Sequence, residues 1–397
     1  MTPEQAQKTM HDLLRMMIQH KASDLFIADD FPPAMKINGK MTPVGQQKLN
    51  AVATRALAYA IMRPDQKTEF EEEFECNFAI SPEGIGRFRV NVFMQQEKVG
   101  MVLRTITSKI PNFDEMGLPK VLKEVMMSKR GLVLLVGGTG SGKSTTMAAM
   151  IDYRNEHSHG HIITIEDPVE YLHKNKNCLV THREVGRDTK GWFNALKNTL
   201  RQAPDVILIG EIRDRETMEY AMNFAETGHL CMGTLHANSS NQALERIVNF
   251  FPEERHPQLY MDLSLNMRGI ISQRLVPTPD GKGRCAAIEI LLNTPLVADM
   301  IFKGDVGGVK TAMQKSRELG MQTFDMALFD LYEAGKISME EALKNADSLN
   351  ELRLNIKLNS QHHRKEEHSS GLDHLSLEVH EEPVVEMVED AAENSAG

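Results

Sequence analysis

No apolar run in this sequence approaches the roughly 20 residues that a membrane-spanning helix needs, so no transmembrane helix is expected. Cysteine is scarce, and Cys76, Cys178, Cys231 and Cys285 are scattered without a C-x-x-C pair. This indicates neither a zinc knuckle nor a disulfide framework, and leaves buried free thiols as the expectation. Excess positive charge is also missing. The 45 Lys and Arg face 55 Asp and Glu for a formal net charge of −10, which argues against a nucleic-acid partner held by overall charge. The first residues lack the charged-then-apolar pattern of an export signal, so the cytoplasm is the expected compartment. The rest is ordinary for a folded chain: 397 residues, 41% hydrophobic and 25% charged, enough for two domains with cores of their own.

One segment departs from this plain background. Gly137-Gly138-Thr139-Gly140-Ser141-Gly142-Lys143-Ser144-Thr145 fills every fixed position of the phosphate-binding pattern G-x-x-x-x-G-K-[ST]. Its flanks supply the required context. Residues 132–136 are a short apolar, β-branched run ending at the glycines, as a buried parallel strand should, and 147–151 are helix formers without a breaker. Strand, glycine loop and helix in that order let backbone N–H groups wrap a phosphate at a helix N-terminus. Lys143 is placed to reach the β- and γ-phosphates of ATP and the Ser144 hydroxyl to sit on Mg²⁺.

Around this loop the chain divides by pattern. Residues 1–112 read as a smaller α+β domain. It has an amphipathic helix over 3–20 with Met10, Leu13, Leu14, Met17 and Ile18 in one stripe. Strands are expected at 24–27 and 33–37, the second followed by an Asn38-Gly39 turn, then a helix over 51–72 and strands at 86–93 and 99–107. Within 86–93, Phe88, Val90 and Val92 alternate with Arg87, Arg89 and Asn91. Prolines and a glycine between 109 and 119 mark a linker. Over 118–356, strands at 132–136, 162–166, 206–210 and 230–235 with helices between them imply an α/β fold with a largely parallel, helix-covered sheet. From 357 to 397 acids dominate, no Lys or Arg follows Lys365 and aromatics are absent, so a disordered acidic tail is expected. Val384, Val385, Met387 and Val388 in that tail could also form a short partner-binding element.

An ATPase needs carboxylates at the ends of strands beside its phosphate loop, one for Mg²⁺ and one for the attacking water. Two strands offer them. Residues 162–165 run into Glu166, Asp167, Pro168 and Glu170, and 206–209 run through Gly210 into Glu211, with glycine where many Walker B strands carry aspartate. A further apolar strand has a histidine at either end, His229 and His236. One of the two is expected to contact the γ-phosphate and the other to stabilise the turn.

In this order, GGTGSGKST, ITIEDPVEY, PDVILIGEIRD and TGHLCMGTLHA resemble the secretion ATPase superfamily of type II/IV secretion and type IV pili. ASDLF near 22, RFRVN at 87–91, RTITSK at 104–109 and GMQTFD at 320–325 narrow the resemblance to PilT-like pilus retraction ATPases, and the acidic extension is most similar to the PilU branch. The resemblance covers about residues 1–350. It implies a RecA-like ATPase domain behind a PAS-like domain, assembled as a homohexamer with ATP between neighbouring subunits. It also implies a place at the inner-membrane base of a pilus, with a PilC-like platform protein and a PilT-type ATPase as partners. By resemblance Glu170 is the general base and Glu211 the acid that acts on Mg²⁺ through water, with Glu166 and Asp167 in support. Arg89 and Arg104 would extend toward the γ-phosphate, with Arg201 and Arg213 nearby.

Three departures accompany it. Phe26 ends the ASDLF motif where the family has a polar residue, Ala203 replaces the usual acid in LRQAPD, and residues 296–301 lack the arginine of the family's force-generating C-terminal segment. The last departure raises an alternative, an accessory subunit that depends on a PilT-type motor. A pilus-extension or type II secretion ATPase is a further alternative, against which the missing tetracysteine zinc insert and longer N-terminal region weigh.

Overall fold

The computed structural model describes residues 1–37, 39–106 and 109–362; the expected Asn38 turn position and the tail with Val384, Val385, Met387 and Val388 lie outside the described residues. The first sheet contains β1 (Asp24–Ile27), β2 (Ala34–Ile37), β3 (Lys40–Pro43), β4 (Glu75–Ile80), β5 (Arg87–Gln95) and β6 (Lys98–Ile106). Their order is β3-β2-β1-β6-β5-β4, with every neighbour antiparallel. The helix Pro3–Gln19 is started by Thr2 and Gln5, which each cover an otherwise unpaired N–H of the first turn. It buries Ala6, Met10, Leu13, Leu14 and Met17 against the sheet, while Ile18 falls outside that stripe at 41% exposed.

The helix expected over 51–72 is two helices, Ala51–Ile61 and Pro64–Glu73. Pro64 starts the second because its ring forces Arg63 into the extended region (φ −72°, ψ 162°). On β5 the alternation resolves as read from the sequence, with Phe88, Val90 and Val92 fully buried and Arg87, Arg89 and Asn91 on the other face. The proline-interrupted stretch beyond 109 carries Phe113 and Leu118 into the core of the second sheet.

That second sheet is built from β7 (Gly131–Val136), β8 (Gly160–Glu166), β9 (Cys178–Glu184), β10 (Val206–Ile209), β11 (Leu230–Leu235), β12 (Met267–Pro277) and β13 (Arg284–Leu292). Its order is β13-β12-β7-β11-β10-β8-β9, parallel throughout except for the β12–β13 hairpin, so this sheet is mixed, the first is antiparallel, and the fold is α/β. β7 is buried on both faces: Leu132, Leu134 and Val136 pack into one core, Val133 and Leu135 into the other. This is why it reads as an unbroken apolar run.

The C-terminal ends of β7, β8, β10 and β11 meet at one edge, so the phosphate loop, the acidic box, Glu211 and His236 converge there. At the end of the described chain, the helix Leu349–Asn359 continues past the expected start of the tail. Ser360 then closes on Glu333 with a 2.6 Å hydrogen bond. All four cysteines are free; Cys76, Cys178 and Cys231 are buried and Cys285 is partly exposed.

Candidate active site

The phosphate loop leaves β7 at Gly137 and enters the helix Lys143–His157 at Gly142. Gly137 (φ +152°) and Gly142 (φ +89°) have no room for a side chain. A Cβ at 137 would lie 2.6 Å from the Gln273 carbonyl oxygen, and one at 142 would lie 2.6 Å from Gln273 Nε2. Gln273, on β12, is the strut of the loop. Its amide nitrogen donates to the Ser141 carbonyl at 2.9 Å and its amide oxygen accepts from the Thr146 hydroxyl at 2.7 Å. The Lys143 ammonium donates to the carbonyls of Gly137 (2.7 Å) and Gly138 (3.0 Å), which centres it in the loop, and burial pushes its pKa down.

A cavity of about 310 Å³ opens from this loop and collects Arg89, Thr139, Gly140, Lys143, Ser144, Glu166, Asp167, Glu170, Glu211, Arg213 and His236. Met147, Ala148, Ile151 and Leu208 add apolar lining. The turn after β10 is bound to β11, since the Ile212 N–H donates to the Thr234 carbonyl at 2.8 Å and the Thr234 hydroxyl donates to the Gly210 carbonyl at 2.5 Å. Glu211 then stands between the His236 imidazole, 3.2 Å away at Nε2, and the Arg213 guanidinium at 2.8 Å. Gly210 has a local reason to replace aspartate, because a Cβ there would sit 3.1 Å from the Glu166 Cα.

The acidic box follows β8 through a cis peptide between Asp167 and Pro168. Its backbone is held by two carboxylates: the Glu170 N–H donates to Glu166 (3.3 Å), and the Val169 N–H donates to Glu184 on the edge strand β9 (3.1 Å). Burial pushes the Glu166 carboxyl up to about 7, against a hydrogen bond from Thr164 that favours the charged form. Burial also raises Glu170, with Arg89, Arg104 and Arg87 pulling the other way. Thr145 is tied to Tyr171 at 2.9 Å, so the loop and the acidic box share a hydrogen bond.

Not every expected residue is here. His229 lies at the start of β11, about 20 Å from His236 by strand rise, and its Nδ1 donates to the Phe224 carbonyl at 3.2 Å. It holds the turn and does not line the cavity. Arg201 is likewise away, exposed on the turn Leu200–Gln202 near the opposite end of the sheet, bonded to Asn198 at 3.2 Å. Arg104 is the register partner of Arg89 but pairs with Asp24 at 2.8 Å outside the cavity. Thr139, Gly140, Lys143 and Ser144 line it, whereas Gly138 and Ser141 border neighbouring clefts. Gln273 and Glu184 had no signature in the sequence, and Tyr171 and Arg87 fell inside the motifs ITIEDPVEY and RFRVN without a role of their own. Among the described residues no cluster of His, Cys, Asp and Glu is arranged to hold a metal on its own.

A phosphate loop thus faces the strand-end carboxylates across one cavity. The chain belongs to the type II/IV secretion system protein family, whose model matches residues 4–370. Within that family it is of the PilT/PilU type. It is 58% identical to the type IV pilus ATPase PilU of Pseudomonas aeruginosa, over 92% of this chain and 93% of that one. It is 44% identical to the type IV pilus retraction ATPase PilT of the same organism, over 84% and 97%. Among solved structures, the pilus retraction motor PilT with bound ADP superimposes with a TM-score of 0.81 at 40% identity, covering 86% of this chain and 98% of that one.

Proposed function

We propose that this chain is an ATP-hydrolysing motor that drives or assists type IV pilus retraction. The observation that carries the reading is the convergence of a complete phosphate loop with Glu170, Glu211, His236 and Arg89 in one cavity fed by both sheets. ATP binds with its phosphates on the N–H groups of residues 138–145 and the Lys143 ammonium. Glu170 takes the proton of the attacking water, and Arg89 and Arg213 neutralise charge developing on the transferred phosphoryl group. Ser144 and Glu211 line the same cavity, which fits an Mg²⁺ held by few protein groups together with water and phosphate. The metal, when bound, spreads the charge of the phosphates.

In this reading the second sheet is the RecA-like ATPase domain and the first a PAS-like domain. Six copies form a ring at the cytoplasmic base of the pilus, against a PilC-like platform protein. Each ATP draws a first sheet toward a nucleotide, and the strain passes around the ring.

The test is imaging of fluorescently labelled pili in cells lacking this chain, with and without a second PilT-type ATPase. Pili that persist or retract weakly under load support the motor, and an absence of pili would make it an extension ATPase. A second reading, an accessory subunit working with a PilT-type motor, is favoured by one feature. The helix Pro295–Phe302 holds residues 296–301 without an arginine, with Leu296 and Phe302 exposed. Retraction in cells where this chain is the sole retraction ATPase would exclude it.

A further inference from the structure

β9 carries a contact that nucleotide chemistry does not itself require. Glu184 is 5% exposed in its side chain and pairs with Arg87 of β5, whose side chain is 10% exposed. The same oxygen of Glu184 accepts the Val169 N–H at 3.1 Å. An ion pair this dry costs more to desolvate than a surface pair, so its geometry matters where a surface pair's would not. Arg87 Nε has no hydrogen-bond partner among the described residues, and the carboxylate in direct contact with this guanidinium is that of Glu184.

The pair also has a specific place. Glu166 and Glu184 are register partners on the parallel strands β8 and β9. Side by side, they hold two consecutive N–H groups, those of Glu170 and Val169. On β5, Arg87 and Arg89 are two residues apart and so share a face. One anchors to β9 while the other lines the nucleotide cavity.

We infer that Glu184 and Arg87 are positioning residues that make the docking of the first sheet over the nucleotide and the placement of Glu170 a single event, an inference that rests on Glu170 being the base. When the first sheet docks, Arg87 fixes Glu184, Glu184 fixes the Val169 peptide, and the Glu170 carboxylate is held at its working position while Arg89 arrives. When it undocks, the acidic box loses one of its two backbone anchors. Neither residue touches ATP in this scheme, so their loss lowers kcat and leaves nucleotide affinity alone.

The experiment is a double-mutant cycle on the full chain with Arg87→Ala and Glu184→Gln. Glutamine keeps the acceptor for Val169 and removes only the charge that Arg87 needs. Steady-state ATPase kinetics, binding of a fluorescent ATP analogue and a melting curve are read for each variant. Each single change is expected to lower kcat by about tenfold or more with KM and Kd within about twofold, since small misplacements of a reacting group carry losses of that size. The double variant is expected to be no worse than the poorer single one, because both changes break one tie.

Additive losses, an unchanged kcat, or a rise in KM alone would overturn the inference. If Arg87→Ala melts early, Arg87→Lys is measured in its place. Lysine retains the charge that Glu184 needs, so a smaller loss of kcat with a normal melting curve is expected, and a loss as large as alanine's would overturn the inference. Glu170→Gln runs alongside. Turnover that survives it sinks the assignment of the base, whereas turnover abolished there with additive Arg87 and Glu184 effects sinks only the tie.

Discussion

Three of the four glycines of the phosphate loop, Gly138, Gly140 and Gly142, differ sharply in their surroundings, and this gives a graded prediction. Gly142→Ala puts a Cβ 2.6 Å from Gln273 Nε2 at a residue with φ +89°. Forcing an L side chain into that left-handed region costs about 1–2 kcal/mol. Gln273 must also move, which breaks its 2.9 Å bond to Ser141 and its 2.7 Å bond from the buried Thr146 hydroxyl. A buried hydroxyl left without its partner costs about 1–3 kcal/mol more, for a total of roughly 2–5 kcal/mol.

Gly140→Ala, at φ +76° with nothing within 4 Å of its Cβ, should carry only the backbone share of about 1–2 kcal/mol. Gly138→Ala has open space and no positive φ, so its fold should be unchanged. Denaturant unfolding without nucleotide measures the series, and titration with a fluorescent ATP analogue shows whether Gly138→Ala weakens binding without touching stability. The reasoning is refuted if Gly142→Ala unfolds with the parent, or if Gly138→Ala is the least stable of the three.

Removing the loop ammonium with Lys143→Ala should reduce phosphate release by about 100-fold or more, since such a group stabilises developing charge in a dry site, and a parental rate would end the ATPase assignment of this cavity. His236→Ala removes the imidazole that stands 3.2 Å from Glu211 and should lower turnover about tenfold or more at unchanged melting temperature, checked by steady-state kinetics and calorimetry. Glu166 gives a pH prediction. Its folded pKa of about 7 lies above the ordinary 4.5, so the unfolded chain releases this proton first and stability is lost as pH rises between those values, by roughly 3 kcal/mol. Glu166→Gln lacks this proton, so its stability relative to the parent should rise from pH 5 to pH 8 in paired denaturant titrations. A flat difference would mean the carboxyl ionises normally.

What the sequence could reveal was whatever is encoded locally. β7, β10 and β11 are short apolar runs bounded by glycine, charge or histidine, and each was legible because a strand buried on both faces leaves no polar alternation to confuse it. β9 was not legible. Cys178-Leu179-Val180-Thr181-His182-Arg183-Glu184 mixes charge and apolar residues because it is an edge strand with one face against the acidic box. The β12–β13 hairpin was missed for a different reason, since its antiparallel turn interrupts the strand and helix alternation that guided the reading. Pro64 shows the reverse case, a local signal that was present and not used.

The site divides along the same line. Lys143, Ser144, Glu170 and Glu211 follow strand ends and could be placed from order alone, because in a parallel sheet the C-terminal ends of neighbouring strands lie at one edge. Two residues, His229 expected from its strand and Arg201 from the resemblance, lie away from this edge. His229 precedes its strand and therefore belongs to the far edge, and Arg201 sits before β10 on the same side. The residues that hold the site together depend on register instead. Gln273 reaches the loop because β12 pairs with β7, and Glu184 reaches Val169 because β9 pairs with β8 opposite Glu166. A mixed-polarity edge strand is therefore where a mutational scan of this chain should find unexpected kinetic effects. A substitution at Leu179, exposed near the other end of β9, should be nearly silent by comparison.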